Sequence, residues 1–260
     1  MQGTKESIED FYKSNKFLKM HKKIEVDSPW KARKLEPLLH QVAEATTKDE
    51  LRLLDVGGGS GLIMKLASAY LEEVHGKRVY GMALDLSPGA IELQTQNNPS
   101  LKETYNCSLT KIPIENKSVD LVLLIDVLEH VYDLEKCYQE LRRIAKFVIV
   151  KVPLEKNLSV YILDLLTGYR KKRSGENGIG HINFYSFNSI KKQLQANLGM
   201  IVCCSLTDVF SYLIEEEKRN SELSRARLAY CMLGRKFFKL SPWATSLVFN
   251  DFAIALVRCT

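Results

Sequence analysis

Three side chains able to do chemistry fall within five residues of one another. Asp126, Glu129 and His130 are spaced i, i+3 and i+4, so on a helix starting there they would share one face. A second histidine, His181, lies in Gly180-His181-Ile182-Asn183-Phe184-Tyr185-Ser186, between a basic segment and a helix start. Two carboxylates and two histidines form a donor set suited to Mg²⁺, Mn²⁺, Fe²⁺ or Zn²⁺. A bound ion would lower the pKa of a substrate hydroxyl. Without an ion, His130 and His181 are the candidate catalytic bases. The plainer alternative has His130 packing on its helix and His181 ordering the adjacent loop.

The other concentration of chemistry is Leu53-Leu54-Asp55-Val56-Gly57-Gly58-Gly59-Ser60-Gly61. A short apolar run ends in an acid and enters a glycine turn. Helical spacing follows at Leu62, Ile63, Leu66 and Ala67. Glycine in such a turn bends the backbone sharply and leaves room for a ligand. The dinucleotide fingerprint would require a glycine at 62, where this chain has Leu. Asp55 suits a neighbouring ammonium group and not a pyrophosphate. Asp85, after Val79-Tyr80-Gly81-Met82-Ala83-Leu84, could accept hydrogen bonds from both hydroxyls of a ribose.

These groups need a scaffold, and the pattern of the chain supplies one. The spacing predicts a helix over 28–45, a strand ending at Asp55, a helix over 61–73, a strand over 78–85 and a helix capped by Ser87. A short strand over 105–108 follows, then a fully buried strand over 119–126, whose apolar residues run on without alternation. A helix over 127–145 and a strand over 147–152 complete the core. Further on, the pattern predicts a short helix over 160–166, a helix over 187–198, a strand over 200–208, a charged helical insert over 211–240 and a last strand over 246–258. Alternating strands and helices imply an α/β fold, a doubly wound, mostly parallel, seven-stranded Rossmann-like sheet. Ligands of such sheets sit at the carboxyl ends of the strands, where Asp55, Asp85, Ser108, Asp126 and Pro153 all fall. The chain reads as one domain over 1–260. It comprises an N-terminal helical lid (1–48), a cofactor-binding core (49–153), a lid insert (154–186) and the remainder of the sheet (187–260).

Bulk properties narrow the function classes. The 260 residues are 45% apolar and 26% charged, which suits a large α/β domain. No stretch is long and apolar enough for a membrane span, and the lysine-rich start is unlike a signal peptide. The six cysteines lack metal-ribbon spacing, so a cytoplasmic protein with reduced thiols is expected. A net charge of +6 allows an anionic substrate without demanding nucleic acid.

Residues 50–155, and more weakly the chain to 202, resemble the class I S-adenosylmethionine-dependent methyltransferases. The segment 53–61 resembles the first motif of the family and Asp85 its ribose-binding acid. Ile125-Asp126-Val127-Leu128-Glu129-His130-Val131 is similar to a variant in ubiquinone-pathway O-methyltransferases and related small-molecule enzymes. The resemblance implies S-adenosylmethionine as cofactor, bound by Asp55, Gly57, Gly59, Gly61, Asp85, Leu86, Ser108, Leu109 and Asp126. Where the family commonly has an adenine-binding Asp after the third strand this chain has Ser108, so Ser108 and the backbone of Leu109 would take that role. The implied reaction is O-methylation of a small acceptor, an anionic one included. N-methylation is the alternative. The set Asp126, Glu129, His130 and His181 also resembles the metal-dependent 2′-O-methyltransferases of small-RNA ends, although no RNA-binding module is recognisable here. A non-catalytic cofactor-binding protein is the remaining reading, against which the intact glycine turn and acids argue.

Overall fold

The apolar residues of the central strands alternate between two cores, one on each face of a sheet. In β1 (Glu50–Val56), Leu51 and Leu53 join one core while Leu54 and Val56 join the other. This two-residue period is the signature of a strand covered on both faces. The structure is a computed structural model and describes residues 10, 13, 24–174, 180–219 and 225–260. The short helices expected within 1–23 and the glycine-containing end of the basic insert, 175–179, lie outside the described residues, Asp10 and Lys13 excepted, while its basic part forms a helix.

A 3₁₀ turn (Ile24–Asp27) leads into α1 (Ser28–Glu44), which precedes β1. Then come α2 (Leu62–His75), β2 (Arg78–Asp85), α3 (Pro88–Asn97), β3 (Glu103–Asn106) and β4 (Val119–Ile125). A 3₁₀ turn (Leu128–His130) precedes α4 (Leu134–Ile144), β5 (Ala145–Pro153), α5 (Leu158–Thr167) and α6 (Tyr169–Ser174). The chain ends with α7 (Phe187–Asn197), β6 (Gly199–Leu206), α8 (Val209–Arg219), α9 (Arg225–Leu240), α10 (Pro242–Val248) and β7 (Phe252–Cys259).

The seven strands lie in the order β3-β2-β1-β4-β5-β7-β6. Strands β1 to β5 are parallel, and β7 runs antiparallel to both β5 and β6. The expected mostly parallel, doubly wound sheet is therefore present. One core packs α1 and α2 on the sheet through Leu35, Leu39, Val42, Met64 and Leu71. The other packs α4 and α7 through Tyr138, Leu141, Ile190 and Leu194. The winding reverses between β1 and β4, which opens the crevice that holds ligands in such folds.

Two expected elements are different. The helix over 127–145 is a 3₁₀ turn followed by a separate helix from Leu134. The carbonyls that would have continued the helix are used elsewhere. Asn183 Nδ2 donates to Leu128 O and Val131 O, while the N–H groups of Ile182 and Asn183 donate to Glu129 O. Asp133 then accepts from Lys136 N and starts α4 afresh. The last strand begins at Phe252, not at 246. Ser241 and Pro242 open a short helix first, with Ser241 Oγ accepting from Ala244 N.

Candidate active site

Backbone conformation shapes the glycine turn. Gly57, Gly59 and Gly61 all have positive φ, at 66°, 57° and 76°. Gly58 is needed for space instead, because a Cβ there would lie 2.0 Å from Asp55 Oδ2. The Asp55 side chain is thus pressed beneath the turn, and its Oδ2 has no hydrogen-bond partner among the described residues. Burial, then the charge of Asp85, pushes its carboxyl up to about 7. Asp85 is also pushed up by burial, to about 6, against the N–H groups of Ser87, Gly59 and Leu86 that favour its ionised form. The contact with Gly59 places the acid ending β2 against the turn after β1.

At the end of β4, Asp126 adopts φ 56° and meets two cations. Lys151 Nζ donates to its Oδ1 and Oδ2 at 2.6 and 2.9 Å, and Lys31 Nζ lies 3.0 Å from Oδ2. Burial alone would raise the Asp126 pKa. Lys151 and Lys31 outweigh it and hold the carboxyl well below its ordinary range. Lys151 is fully buried, with Nζ 3.5 Å from the centroid of the Phe252 ring. Lys31 also pairs with Asp27 at 3.0 Å, so the Asp27 carboxylate ties Lys31 in place without capping α1.

The histidines meet because segment 180–185 pairs with the 3₁₀ turn. The rings of His130 and His181 are 4.8 Å apart, edge to face. His130 Nδ1 lies 3.1 Å from Gly180 O, and His181 Nδ1 lies 2.7 Å from Glu155 Oε2. An oxygen acceptor opposite each Nδ1 assigns the proton of the neutral ring to that nitrogen, which makes Nε2 the basic one. Glu129 is buried beside them, and its Oε2 has no partner among the described residues. Its pKa is raised well above normal, first by burial and then by Asp126.

A cleft of about 740 Å³ connects these groups, within the size range of about 300–1,000 Å³ that suits cofactor-sized ligands. Asp55, Gly57, Gly59, Asp126, Glu129, His130 and His181 all line it. Of the other expected residues, Gly61 opens α2, and its carbonyl accepts from Asn98 Nδ2. Asp85 and Leu86 border the turn through Gly59. Ser108 Oγ is engaged with Thr110, and Leu109 is buried in the core on the α4 side of the sheet. The structure brings together three of the four residues expected to ligate a metal. Oxygen and nitrogen donors of Glu129, His130 and His181 come within 4.8 Å of one another, whereas Asp126 is neutralised by two lysines. Lys31, Lys151 and Glu155 belong to the site and were missed in the sequence. A lysine inside the apolar run 147–152, and an acid two residues beyond Pro153, were visible signals. Lys31 carried none, because only the packing of α1 brings it to β4.

Residues 54–147 match the family model described as a methyltransferase domain. No curated protein sequence matches the chain. Solved structures similar to it include geranyl diphosphate C-methyltransferase from Streptomyces coelicolor A3(2), crystallised with Mg²⁺, geranyl diphosphate and S-adenosyl-L-homocysteine. That match has 13% identity and a TM-score of 0.57 over 88% of this chain and 80% of the other. Phosphoethanolamine N-methyltransferase 2 from Haemonchus contortus matches at 15% identity and TM-score 0.52, over 83% of this chain and 51% of that one. The 4+2 cyclase SpnF matches at 14% identity and TM-score 0.53, over 86% and 80%. The chain thus has the fold of class I S-adenosylmethionine-dependent methyltransferases, and its residues 54–147 match a methyltransferase domain.

Proposed function

We propose that the chain is an S-adenosylmethionine-dependent methyltransferase that acts on a hydroxyl group of a small molecule, with His181 as the base that receives its proton. The supporting observation is the buried pair of His181 Nδ1 and Glu155 Oε2, 2.7 Å apart, in the wall of the cleft. A hydroxyl is a poor nucleophile until its proton has somewhere to go. In this reading S-adenosylmethionine, when bound, would supply an electrophilic methyl group to the acceptor oxygen and would leave as S-adenosylhomocysteine. The proton passes to His181 Nε2, and Glu155 stabilises the resulting imidazolium. Asp55, Gly57, Gly59 and Asp85 would hold the cofactor, Gly61 would shape the turn, and Leu86, Ser108 and Leu109 would contribute to the same binding site. Asp126, fixed by two lysines, shapes the space between cofactor and acceptor. Arg227 in the cleft wall favours an anionic acceptor. Asp27, Ser28 and Lys31 on one side, and Leu154, Glu155 and His181 on the other, would act as covers of the cleft that they line.

The test is single-turnover methylation against a panel of hydroxyl and amine acceptors. His181→Ala should lower the chemical step on a hydroxyl by about 10²–10⁴ and leave S-adenosylhomocysteine affinity unchanged. An undiminished rate, or turnover of amines alone, overturns the reading.

A second reading is supported by the unpartnered buried Glu129 Oε2. Glu129, His130 and His181 would hold a divalent ion, which would polarise the acceptor oxygen. Glu155 would then orient a ligand histidine from behind. Loss of activity on chelation, restored by added metal and absent in Glu129→Gln, supports this version; full activity in chelator removes it.

A further inference from the structure

Large apolar side chains are unevenly distributed over the surface. Of the 19 that are exposed among the described residues, 13 lie on α5, α9 and α10. Helix α5 reads Leu-Ser-Val-Tyr-Ile-Leu-Asp-Leu-Leu-Thr and buries only Val160. Leu165 and Leu166 are 77% and 75% exposed. Helix α9 exposes Phe237 and Leu240, and α10 exposes Trp243. The three helices are neighbours. Ser159 Oγ of α5 lies 3.2 Å from the Tyr230 hydroxyl of α9, and α10 packs against both. Contiguous apolar surface of this kind marks an interaction site.

Charge indicates the partner. Helices α5, α6, α9 and α10 carry nine Lys or Arg and one acid, Asp164. The whole chain carries +6, so the rest of the molecule is slightly acidic. A protein partner would match one patch of this surface. An anionic bilayer matches both properties at once, since apolar side chains enter the interface while Lys and Arg stay at the headgroups. An exposed Trp at the junction of two such helices belongs to the same pattern. Among the described residues no helix is long and apolar enough to cross a membrane, so the contact is a peripheral one.

We infer that the face formed by α5, α6, α9 and α10 docks the protein on an anionic lipid surface. Helix α9 has a second consequence. Arg227, Tyr230 and Cys231 line the cleft, while Met232, Leu233 and Phe237 face outward. One wall of the cleft would therefore rest on the bilayer.

The experiment uses vesicles of phosphatidylcholine alone and of equal parts phosphatidylcholine and phosphatidylglycerol. The chain has two tryptophans, and Trp30 is buried whereas Trp243 is half exposed. Docking should shift the Trp243 emission to the blue, with partitioning to anionic vesicles about tenfold or more above that to neutral ones. High salt should weaken it. Leu165→Asp with Leu166→Asp should lower partitioning by about tenfold or more at unchanged thermal stability, both sites being exposed. Equal partitioning to the two vesicle types, or no binding to either, overturns the proposal. So does a stable dimer in sedimentation velocity that the double variant dissociates, because a second copy would then own the face.

Discussion

Asp55 and Asp85 show how a pocket can hold its acids protonated until a cationic ligand arrives. Their folded pKa values, about 7 and about 6, exceed the unfolded value near 4. A raised carboxyl pKa favours folding while the group is protonated. That contribution is complete below about pH 4 and is lost as pH rises through about 6–7. Asp55→Asn should therefore stabilise the free protein by on the order of 2–4 kcal/mol at pH 8 and hardly at all at pH 4, as read by urea denaturation. A cationic sulfonium and ammonium reverse this preference by favouring the carboxylates. Binding S-adenosylmethionine at pH 6 should release protons, seen as a calorimetric enthalpy that depends on the ionisation heat of the buffer. Buffer-independent heat would mean that neither acid titrates on binding.

At the scale of elements, the site depends on two turns held by contacts distant in sequence. The glycine turn is closed by Asp55 under Gly58. Gly58→Ala, with its Cβ 2.0 Å from Asp55 Oδ2, should weaken S-adenosylhomocysteine binding by about tenfold or more in a calorimetric titration. The turn at Leu128–His130 is held by Asn183, whose amide bridges Leu128 O and Val131 O at 2.9 and 2.6 Å. Asn183→Ala should loosen His130 and His181 together. It should lower kcat while leaving cofactor affinity intact, whereas a purely structural effect would lower both.

Across the whole molecule, the Lys31–Asp126–Lys151 cluster joins α1, β4 and β5 beneath the cleft. Lys151→Met leaves Asp126 with half its compensation in a buried setting. A loss of about 3–5 kcal/mol is expected by chemical denaturation; a loss under about 1 kcal/mol would mean that water already reaches the pair. The sign for Asp126 is opposite to that for Asp55. Its depressed pKa contributes stability above about pH 4 that fades as the solution is acidified. The same scale shows why the fold leaves acceptor and reaction open: similar structures include a C-methyltransferase, an N-methyltransferase and a cyclase.

Most of the sheet was legible because its signals are local. The mostly apolar runs at 119–125 and 147–152, interrupted only by Asp120 and Lys151, read as buried strands, and Gly57-Gly58-Gly59-Ser60-Gly61 as a turn. Acids at strand ends need no more than the strand boundary to be located, so Asp55, Asp85 and Asp126 could be placed from the chain alone. The partners of those acids could not. The periodicity at 126–130 read as one helix face, yet Ile182 and Asn183, more than fifty residues on, take the Glu129 carbonyl and stop that helix. That Asp126 pairs with Lys31 and Lys151 is decided only where α1 and β5 meet it. Glu155 became the partner of His181 only once the 180–185 segment had folded over β5. Backbone geometry follows from neighbours in sequence, whereas the charge state and hydrogen bonding of a buried side chain depend on whatever the tertiary fold packs against it.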